Sequence, residues 1–345
     1  MAAPPKLAMA WLEQTIRRYE HRRWASEPNR KTLPFAWGLE HIGGRADEPD
    51  RRGFLDAWVE KTLAGSEEWY ATAPAEDYRL EDGVLTFTSG VESPWPENNR
   101  AHAQFFPAKT SGPAVVLLAQ WNARWEEQVD VCRWLNRLGI TALRLSLPYH
   151  DRRAIPGHPR ADHLVGPNIG LTLQANRQAV SDARRCLRWL EQRGYGKLGI
   201  IGTSIGSSIA FITMAHDRAI RAAALLHVST YFAEVVVNGL TTTNVWEALQ
   251  TKVTADELRR YWAPISPFPY ISRLSGTGQQ FLAIVGRYDP TFWPEFSMEF
   301  LQAVKSDGLR CETLELPCGH YSLGEIPFRW AAGLRFGTFL FQNLA

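Results

Sequence analysis

The 345-residue sequence predicts an α/β fold in which helices cover both faces of a mostly parallel sheet. The first observation is a regular alternation of strand and helix patterns between residues 114 and 227. The second is that two later apolar strands, at 281–286 and 311–316, continue the series. The third is that more than fifty residues without strand character separate 221–227 from 281–286, which indicates an insertion.

The elements can be justified in chain order. Two strands with alternating polarity open the sheet and flank a Pro-rich loop at 94–96. The alternating series then reads as strand 114–119, helix 125–138, strand 140–146, helix 171–193, strand 197–201, helix 206–216 and strand 221–227, after the opening strands 83–88 and 101–106. Helix 171–193 is predicted because Leu173, Val180 and Leu187 recur on one face and Gly194 follows its end.

Residues 1–79 are predicted to form a helical extension packed on the domain 80–345. An amphipathic pattern over 7–26 and a second helical run over 53–63 carry this prediction. The chain has 14 tryptophans, several of them in this region, and such large side chains favour packing against the body. In the insertion, 244–262 contains two helical patches, with a helix start at 254–257.

The most informative motif is Gly202-Thr203-Ser204-Ile205-Gly206, which lies between a predicted buried strand and a predicted buried helix. In that context G-x-S-x-G is typical of a nucleophile elbow, a sharp turn that holds its serine exposed at a helix N-terminus. The simpler interpretation is that Ser204 only caps the helix, as serine often does. The residues further along the chain decide between these two interpretations.

Candidate partners for Ser204 follow the ends of the last two predicted strands. Asp289 comes directly after strand 281–286, and His320 comes after strand 311–316. The order Ser204, Asp289, His320 differs from the two orders known in serine proteases, and both partners follow strand ends. We therefore predict a Ser-His-Asp triad, with Glu315 or Asp307 as alternative acids if Asp289 points away.

Over residues 80–345 the chain resembles the α/β-hydrolase superfamily. It is most similar to the abhydrolase-domain and dienelactone-hydrolase-like esterases, through Gly202-Thr203-Ser204-Ile205-Gly206-Ser207 and Gly286-Arg287-Tyr288-Asp289. The resemblance implies hydrolysis of a carboxylic ester, thioester or amide without a metal or cofactor. It also implies that the insertion, at about 228–276, forms a mainly helical cap over the site; a surface decoration is the alternative.

The oxyanion of the reaction needs two backbone N–H donors, and the resemblance implies where they lie. One is the N–H of Ile205, the residue after the nucleophile. The second comes from the loop after strand 114–119, at Trp121 or Asn122. Many family members have His-Gly at this strand end, whereas this chain has Gln120 and Trp121, so the choice between Trp121 and Asn122 stays open.

The substrate is expected to be a small ester with an apolar acyl or aromatic group. Gln120, Tyr149 and His150 are predicted to line its site, with a structural role as the alternative for His150. Arg152 and Arg153 are candidate contacts to an anionic head group. Aromatic side chains and few acidic ones around the site favour esters over peptides. A peptidase or an acyltransferase with the same triad, and a non-catalytic binding protein of this fold, stay open as alternatives.

Composition sets further expectations. A net charge of +2 gives no electrostatic reason to expect nucleic-acid binding.

The cysteines and one further histidine are expected to be structural. The four cysteines lack metal-ligand spacing, and Cys318 is expected to take no part in the reaction. His227 is expected to be a hydrogen-bonded core residue. No signal-peptide core or integral membrane segment is recognised, and the uncharged run 198–215 reads as buried core. A cytoplasmic enzyme is therefore expected, of undetermined oligomeric state.

Overall fold

The computed structural model describes residues 6–109 and 112–344, and it confirms the predicted α/β architecture. One nine-stranded sheet has the order β1-β2-β3-β5-β4-β6-β7-β8-β9. Strands β4 to β9 pair with one another in parallel. Strands β1, β2 and β3 form antiparallel pairs, and β3 joins them to β5. The strands are β1 Arg79–Glu81, β2 Val84–Thr88, β3 Arg100–Phe106, β4 Ala114–Leu118, β5 Thr141–Leu145, β6 Leu198–Thr203, β7 Ile220–Leu226, β8 Gln280–Gly286 and β9 Cys311–Leu316.

Helices cover the sheet and form the insertion. They are α1 Lys6–Ala25, α2 Arg51–Ala64, α3 Ser66–Trp69, α4 Val129–Arg137, α5 Ile169–Gln192, α6 Ile205–Ala215, α7 Phe232–Asn238, α8 Thr243–Leu249, α9 Ala255–Tyr261, α10 Pro294–Ser306 and α11 Phe328–Leu344. Strand β1 and helices α10 and α11 lie outside the predicted elements. None of the helices in the described ranges is long and apolar enough to cross a membrane.

The central strands are buried on both faces, which explains why their sequences are continuous apolar runs. Along β4, Val116 and Leu118 belong to the larger hydrophobic core, together with residues of α5 and α6. Val115 and Leu117 point to the opposite face and belong to a second core that includes residues of α4 and α11. This two-residue periodicity fixes the register of the sheet between its two helical layers.

The N-terminal segment contacts the rest of the chain at several points. Helix α1 approaches the turn that follows β9, and α2 approaches α9 of the insertion. The buried hydroxyl of Tyr70 donates a hydrogen bond of 2.8 Å to the carbonyl oxygen of Pro264. The division into an extension of residues 1–79 and a domain of residues 80–345 stays a prediction.

The insertion between β7 and β8 contains α7, α8 and α9 and short 3-10 turns. Helix α9 begins with a complete capping box, in which Thr254 and Glu257 each bond to the other's backbone N–H. Phe232 packs edge-to-face on buried Trp262, with ring centroids 5.4 Å apart. Both residues belong to the insertion, and the indole N–H of Trp262 donates to the carbonyl oxygen of Ile169 in α5, which joins the insertion to the body.

Candidate active site

The turn between β6 and α6 is a sharp elbow centred on Ser204. Ser204 has φ 57° and ψ −122°, a conformation that non-glycine residues rarely adopt. A Cβ atom at Gly202 would lie 2.2 Å from the carbonyl oxygen of Gly206, and one at Gly206 would lie 2.3 Å from that of Leu118. Both glycines are therefore required sterically, and Gly206 brings the elbow against the end of β4.

The neighbouring Ser207 stabilises the elbow. Its hydroxyl lies 2.6 Å from the carbonyl oxygen of Ser204 and also contacts that of His227. Because two backbone carbonyl oxygens hold this hydroxyl, Ser207 is not a candidate nucleophile. Ser204 itself borders a cavity, as does Ser208 one turn further along.

The structure brings Ser204, His320 and Asp289 together from three strand ends. The Oγ atom of Ser204 lies 3.1 Å from Nε2 of His320, and Nδ1 of His320 lies 3.1 Å from Oδ2 of Asp289. A neutral imidazole with its proton on Nδ1 satisfies both contacts: it donates to Asp289 and accepts from Ser204. The arrangement can accept the serine proton and hold the resulting imidazolium.

Asp289 is held rigidly at the start of the segment after β8. Its Oδ1 atom accepts hydrogen bonds from the backbone N–H groups of Thr291 at 2.7 Å and Phe292 at 2.8 Å. Burial raises the pKa of this carboxyl, but the charges and hydrogen bonds of His320 and His227 outweigh it and keep the pKa far below its usual range. Glu315, an alternative acid, instead pairs with Arg287 on the surface.

The imidazole of His320 lies between Asp289 and an aromatic ring, with 11% of its side chain exposed. Phe292 stacks on it in a nearly parallel orientation, with centroids 5.4 Å apart. Burial lowers the pKa of His320, but the charge and the hydrogen bond of the Asp289 carboxylate raise it, and the net result is a pKa above the ordinary value. An imidazole with a raised pKa is a stronger base once it has lost its proton.

A second histidine, His227, contacts the same carboxylate. Its Nδ1 atom lies 2.7 Å from Oδ2 of Asp289, and its ring centroid lies 4.4 Å from that of His320. Burial, followed by the nearby charge of His320, lowers the pKa of His227, which favours the neutral form. His227 was predicted as a core residue; it is buried, but it also borders the cavity. The sequence did contain a signal for this role. His227 directly follows β7, which lies between β6, the strand before Ser204, and β8, the strand before Asp289.

Within the described residues, His227, Asp289 and His320 are also close enough together to contact one metal ion. The ligand atoms of His227, Asp289 and His320 lie within 4.8 Å of one another. Two imidazoles and a carboxylate suit a transition metal such as Zn²⁺. The same Nδ1 and Oδ2 atoms already contact one another, however, so a metal would have to replace the contact between His320 and Asp289.

The residues predicted for the oxyanion site differ in their availability. Ile205 is the first residue of α6, where the backbone N–H has no partner within the helix. The N–H of Asn122 is already used, since it donates to Nε2 of His150 at 2.8 Å. The backbone N–H of Trp121 has no partner within the described residues, and its indole donates to the carbonyl oxygen of Ala161 at 3.0 Å. Trp121 is thus the better candidate of the two.

Two of the three predicted substrate contacts are contradicted by the structure. Tyr149 and His150 are buried and do not border the cavity. His150 uses Nε2 for Asn122, and its Nδ1 lies 2.9 Å from the carbonyl oxygen of Pro148. Gln120 does border the cavity, but its side chain is held by Glu127 and Gln128 at 2.6 and 2.7 Å.

The arginines proposed for an anionic head group are also placed elsewhere. Arg153 is fully buried and forms an ion pair of 2.8 Å with Asp182. The guanidinium of Arg152 lies over the ring of Trp125, 4.5 Å from its centroid. Cys318 is buried, and burial raises the pKa of its thiol, as expected of a bystander.

The cavity beside Ser204 has a volume of about 1130 Å³. Its buried lining is largely apolar and includes Val165, Phe232, Val236 and Phe292. Its exposed lining includes Trp330 and Leu334 as well as charged residues of both signs, which contradicts the expectation of few acidic groups around the site. The exposed charged residues are Arg23, Arg124, Glu126, Asp130, Glu325 and Arg329. The cavity therefore combines an apolar interior with a charged entrance.

The insertion contributes to this cavity mainly through α7. Phe232, Val235 and Val236 of α7 and the following Thr241 and Thr242 line it. Among the aromatic residues of the insertion, Phe232 borders the cavity, whereas Tyr231, Trp246 and Trp262 do not. Trp262 instead is fully buried and donates to the carbonyl oxygen of Ile169 at 3.3 Å.

Comparison with known proteins agrees with the fold. Residues 116–277 match the family model described as "Alpha/beta hydrolase domain containing 18". No curated protein matches the sequence significantly. The matched region contains β6, the elbow and the insertion, but neither Asp289 nor His320.

Solved structures with the same fold include esterases and peptidases. Acetyl xylan esterase 1 from Thermoanaerobacterium sp. JW/SL YS485 has a TM-score of 0.61 at 13% identity, over 82% of this chain and 93% of that one. An esterase of Pyrococcus furiosus has a TM-score of 0.53 at 16% identity, over 78% and 92%. The acylaminoacyl peptidase of Pyrococcus horikoshii has a TM-score of 0.58 at 12% identity, over 81% of this chain but 43% of that one.

Proposed function

We propose that the chain is a serine hydrolase of the α/β-hydrolase superfamily that cleaves a carboxylic ester or thioester. Ser204 is the nucleophile, His320 the general base and Asp289 the residue that orients the base. The observation that carries the proposal is the continuous series of contacts from Ser204 Oγ through His320 to Asp289, at 3.1 Å each.

The reaction proceeds in two halves. The Oγ atom of Ser204 attacks the carbonyl carbon while its proton passes to Nε2 of His320, and the tetrahedral intermediate carries its negative charge on the former carbonyl oxygen. His320 then gives the proton to the leaving alcohol or thiol, and the acyl group stays on Ser204. Water attacks this acyl-enzyme, again with His320 as base, and releases the acid and the free serine.

The N–H groups of Ile205 and Trp121 are proposed to bind the oxyanion. Both follow strand ends, β6 and β4, that Gly206 brings into close contact. The helix dipole of α6 adds a positive potential at its N-terminus, where the oxyanion develops. The side chain of Trp121 is fixed by its bond to Ala161, which keeps the loop's backbone in place.

An ester with an apolar acyl or aromatic group is the proposed substrate. The buried cavity wall of Val165, Phe232, Val236 and Phe292 offers apolar contact and few partners for peptide amides. The charged entrance requires that any polar part of the substrate lies toward solvent. Esterases and peptidases both share the fold, so substrate preference needs a direct measurement.

Covalent labelling with a fluorophosphonate probe tests the nucleophile. We expect the wild-type protein to be labelled and Ser204→Ala to lose labelling and about 10⁵- to 10⁶-fold of its turnover. Ser208→Ala is the matched control, because Ser208 lies in the same helix and borders the same cavity. Labelling that persists in Ser204→Ala contradicts the assignment, and an unlabelled wild-type protein favours the non-catalytic alternative.

Substrate class is tested by comparing kcat/KM for p-nitrophenyl acyl esters with that for peptide p-nitroanilides. We expect the esters to react faster, since the buried wall offers apolar contact. A preference for the anilides identifies a peptidase instead. Transfer of the acyl group to an added alcohol in preference to water identifies an acyltransferase.

A further inference from the structure

We propose that Glu20 of α1 is a positioning residue for the imidazole of His320. This inference rests on the proposed function, since it assigns Glu20 a role through the proposed base. It also assigns the N-terminal helix a part in the active site, because Glu20 bonds to residues that lie 301 and 302 positions later in the chain.

The carboxylate of Glu20 is completely buried and bonds to the turn that carries His320. Its Oε2 atom accepts the backbone N–H of Tyr321 at 2.8 Å, and its Oε1 atom accepts that of Ser322 at 2.9 Å. These are the two residues directly after His320. A carboxylate that accepts two backbone N–H groups fixes both the position and the direction of that backbone.

The shape of the turn fits this carboxylate closely. A Cβ atom at Gly319 would lie 2.5 Å from the carboxyl carbon of Glu20, so only glycine allows the turn to close around it. The N–H of Gly319 donates to Oγ of Ser322 at 2.8 Å, which closes the turn on its other side. His320 thus lies between Gly319, which packs against Glu20, and the two residues whose N–H groups Glu20 accepts.

Two further hydrogen bonds join the same two segments. The hydroxyl of Tyr321 donates to Glu27, just beyond α1, at 2.5 Å. The hydroxyl of Tyr19 donates to Glu325 at 2.5 Å. These bonds are at the protein surface or partly buried, whereas the bonds of Glu20 are buried, so Glu20 is the central anchor of the contact.

Glu20 also contributes to the charge around the imidazole. Burial lowers the pKa of His320, while Asp289 raises it most strongly and Glu20 and Glu27 raise it further. His227, directly after β7, also faces this imidazole, with ring centroids 4.4 Å apart. A neutral acceptor at position 20 would therefore change the basicity of His320, which a purely structural contact would not do.

The test uses three variants of the full-length protein. Glu20→Gln removes the charge and one of the two acceptors, and Glu20→Asp keeps the charge but shortens the side chain. Glu13→Gln is the control, since Glu13 lies on the same helix with 41% of its side chain exposed. The readouts are the rate of fluorophosphonate labelling as a function of pH and the pKa of His320 from NMR of ¹³C-labelled histidine, assigned with His320→Gln.

We expect Glu20→Gln to label about tenfold more slowly at the pH plateau, because a small displacement of the base weakens catalysis strongly. The rise of its labelling rate with pH, the acid limb, should move to lower pH, and the pKa of His320 measured by NMR should fall. Glu20→Asp slows labelling but keeps the limb near that of the wild type, and Glu13→Gln changes neither. If Glu20→Gln does not fold, Glu20→Asp still tests the position through its labelling rate.

The outcomes separate this inference from the proposed function. Unchanged labelling and an unchanged His320 pKa in Glu20→Gln overturn the positioning role and leave the hydrolase intact. A lower melting temperature with an unchanged acid limb and pKa also overturns it, because the contact is then only structural. If the wild-type protein is not labelled at all, a His320 pKa that falls in Glu20→Gln still supports the positioning role.

Discussion

Two histidines in turns at the same edge of the sheet, His150 and His320, differ in their relation to the cavity, because only His320 borders it. The turn after β5 contains His150, and the turn after β9 contains His320. Both histidines follow a strand end, and both were predicted to take part in the site. The structure distinguishes them by what their two ring nitrogens contact.

Both nitrogens of His150 are used by the backbone. Nε2 accepts from the N–H of Asn122, and Nδ1 donates to the carbonyl oxygen of Pro148. Burial lowers the pKa of His150 to about 4, so it stays neutral at physiological pH. His320 instead contacts two side chains, Ser204 and Asp289, and its pKa is raised. A histidine held by the backbone supports structure, whereas one held between a hydroxyl and a carboxylate can move a proton.

The largest effect in this comparison is expected from Asp289→Asn. The amide cannot hold the Nδ1–H tautomer of His320, and it offers no charge to the imidazolium, so kcat should fall by about 10⁴-fold. Because Asp289 raises the pKa of His320, the acid limb of kcat/KM should lie above the ordinary histidine pKa in the wild type. The limb should move to lower pH in the variant.

The matched control is Asp182→Asn, which changes a buried carboxylate paired with Arg153 away from the cavity. This variant should lose stability, because it leaves a buried arginine unpaired, but its acid limb should stay in place. If the acid limb of kcat/KM stays at the same pH in Asp289→Asn, a group other than His320 sets the pH dependence of the reaction.

An intermediate effect is expected from His227→Asn. Asparagine tolerates the positive φ of 65° at this position, so the backbone should be preserved. Loss of the second imidazole near Oδ2 of Asp289 should lower kcat/KM by about tenfold, or about 1.4 kcal/mol. The double variant His227→Asn/Asp289→Asn should be no slower than Asp289→Asn alone, because both act through one carboxylate. Additive losses would show that His227 acts independently of Asp289.

Much of the fold follows from the sequence because its strands are short apolar runs between helical patterns. The eight predicted strands are found within about two residues of their expected bounds, and so are the main helices except the predicted helix 125–138, which begins only at Val129. The elbow was recognisable because Gly202 and Gly206 are required by close backbone approach, and that requirement leaves a pattern in the sequence. The proximity of Ser204, Asp289 and His320 follows from parallel strands, whose carboxyl ends meet at one edge.

The parts that sequence did not reveal depend on long-range hydrogen bonds. Glu20 looks like an ordinary polar position of an amphipathic helix, and nothing local indicates that it binds residues 321 and 322. His150 and Tyr149 were misassigned because a sequence does not show whether buried polar atoms find partners within the chain. Strand β1 is three residues long, which is too short to produce a recognisable alternation.

The smallest effect on activity is expected from His150→Gln. The carbonyl oxygen of glutamine can accept the N–H of Asn122 in place of Nε2, so the loop with Trp121 should keep its position. We expect kcat/KM to change by no more than a fewfold. His150→Ala is the comparison, since it leaves that N–H without a partner and should cost about 1–3 kcal/mol of unfolding free energy.

The two variants also test the neutral state of His150 through stability. The pKa of His150 lies near 4 in the folded protein and at its ordinary 6.5 in the unfolded chain, so the unfolded state binds more protons between these values. The stability that wild-type His150 contributes is complete above pH 6.5 and is lost as the pH falls toward 4. The difference in Tm between the wild type and His150→Gln should therefore shrink over this range. A difference that stays constant, together with a large loss of kcat/KM, would place His150 in the reaction rather than in the framework.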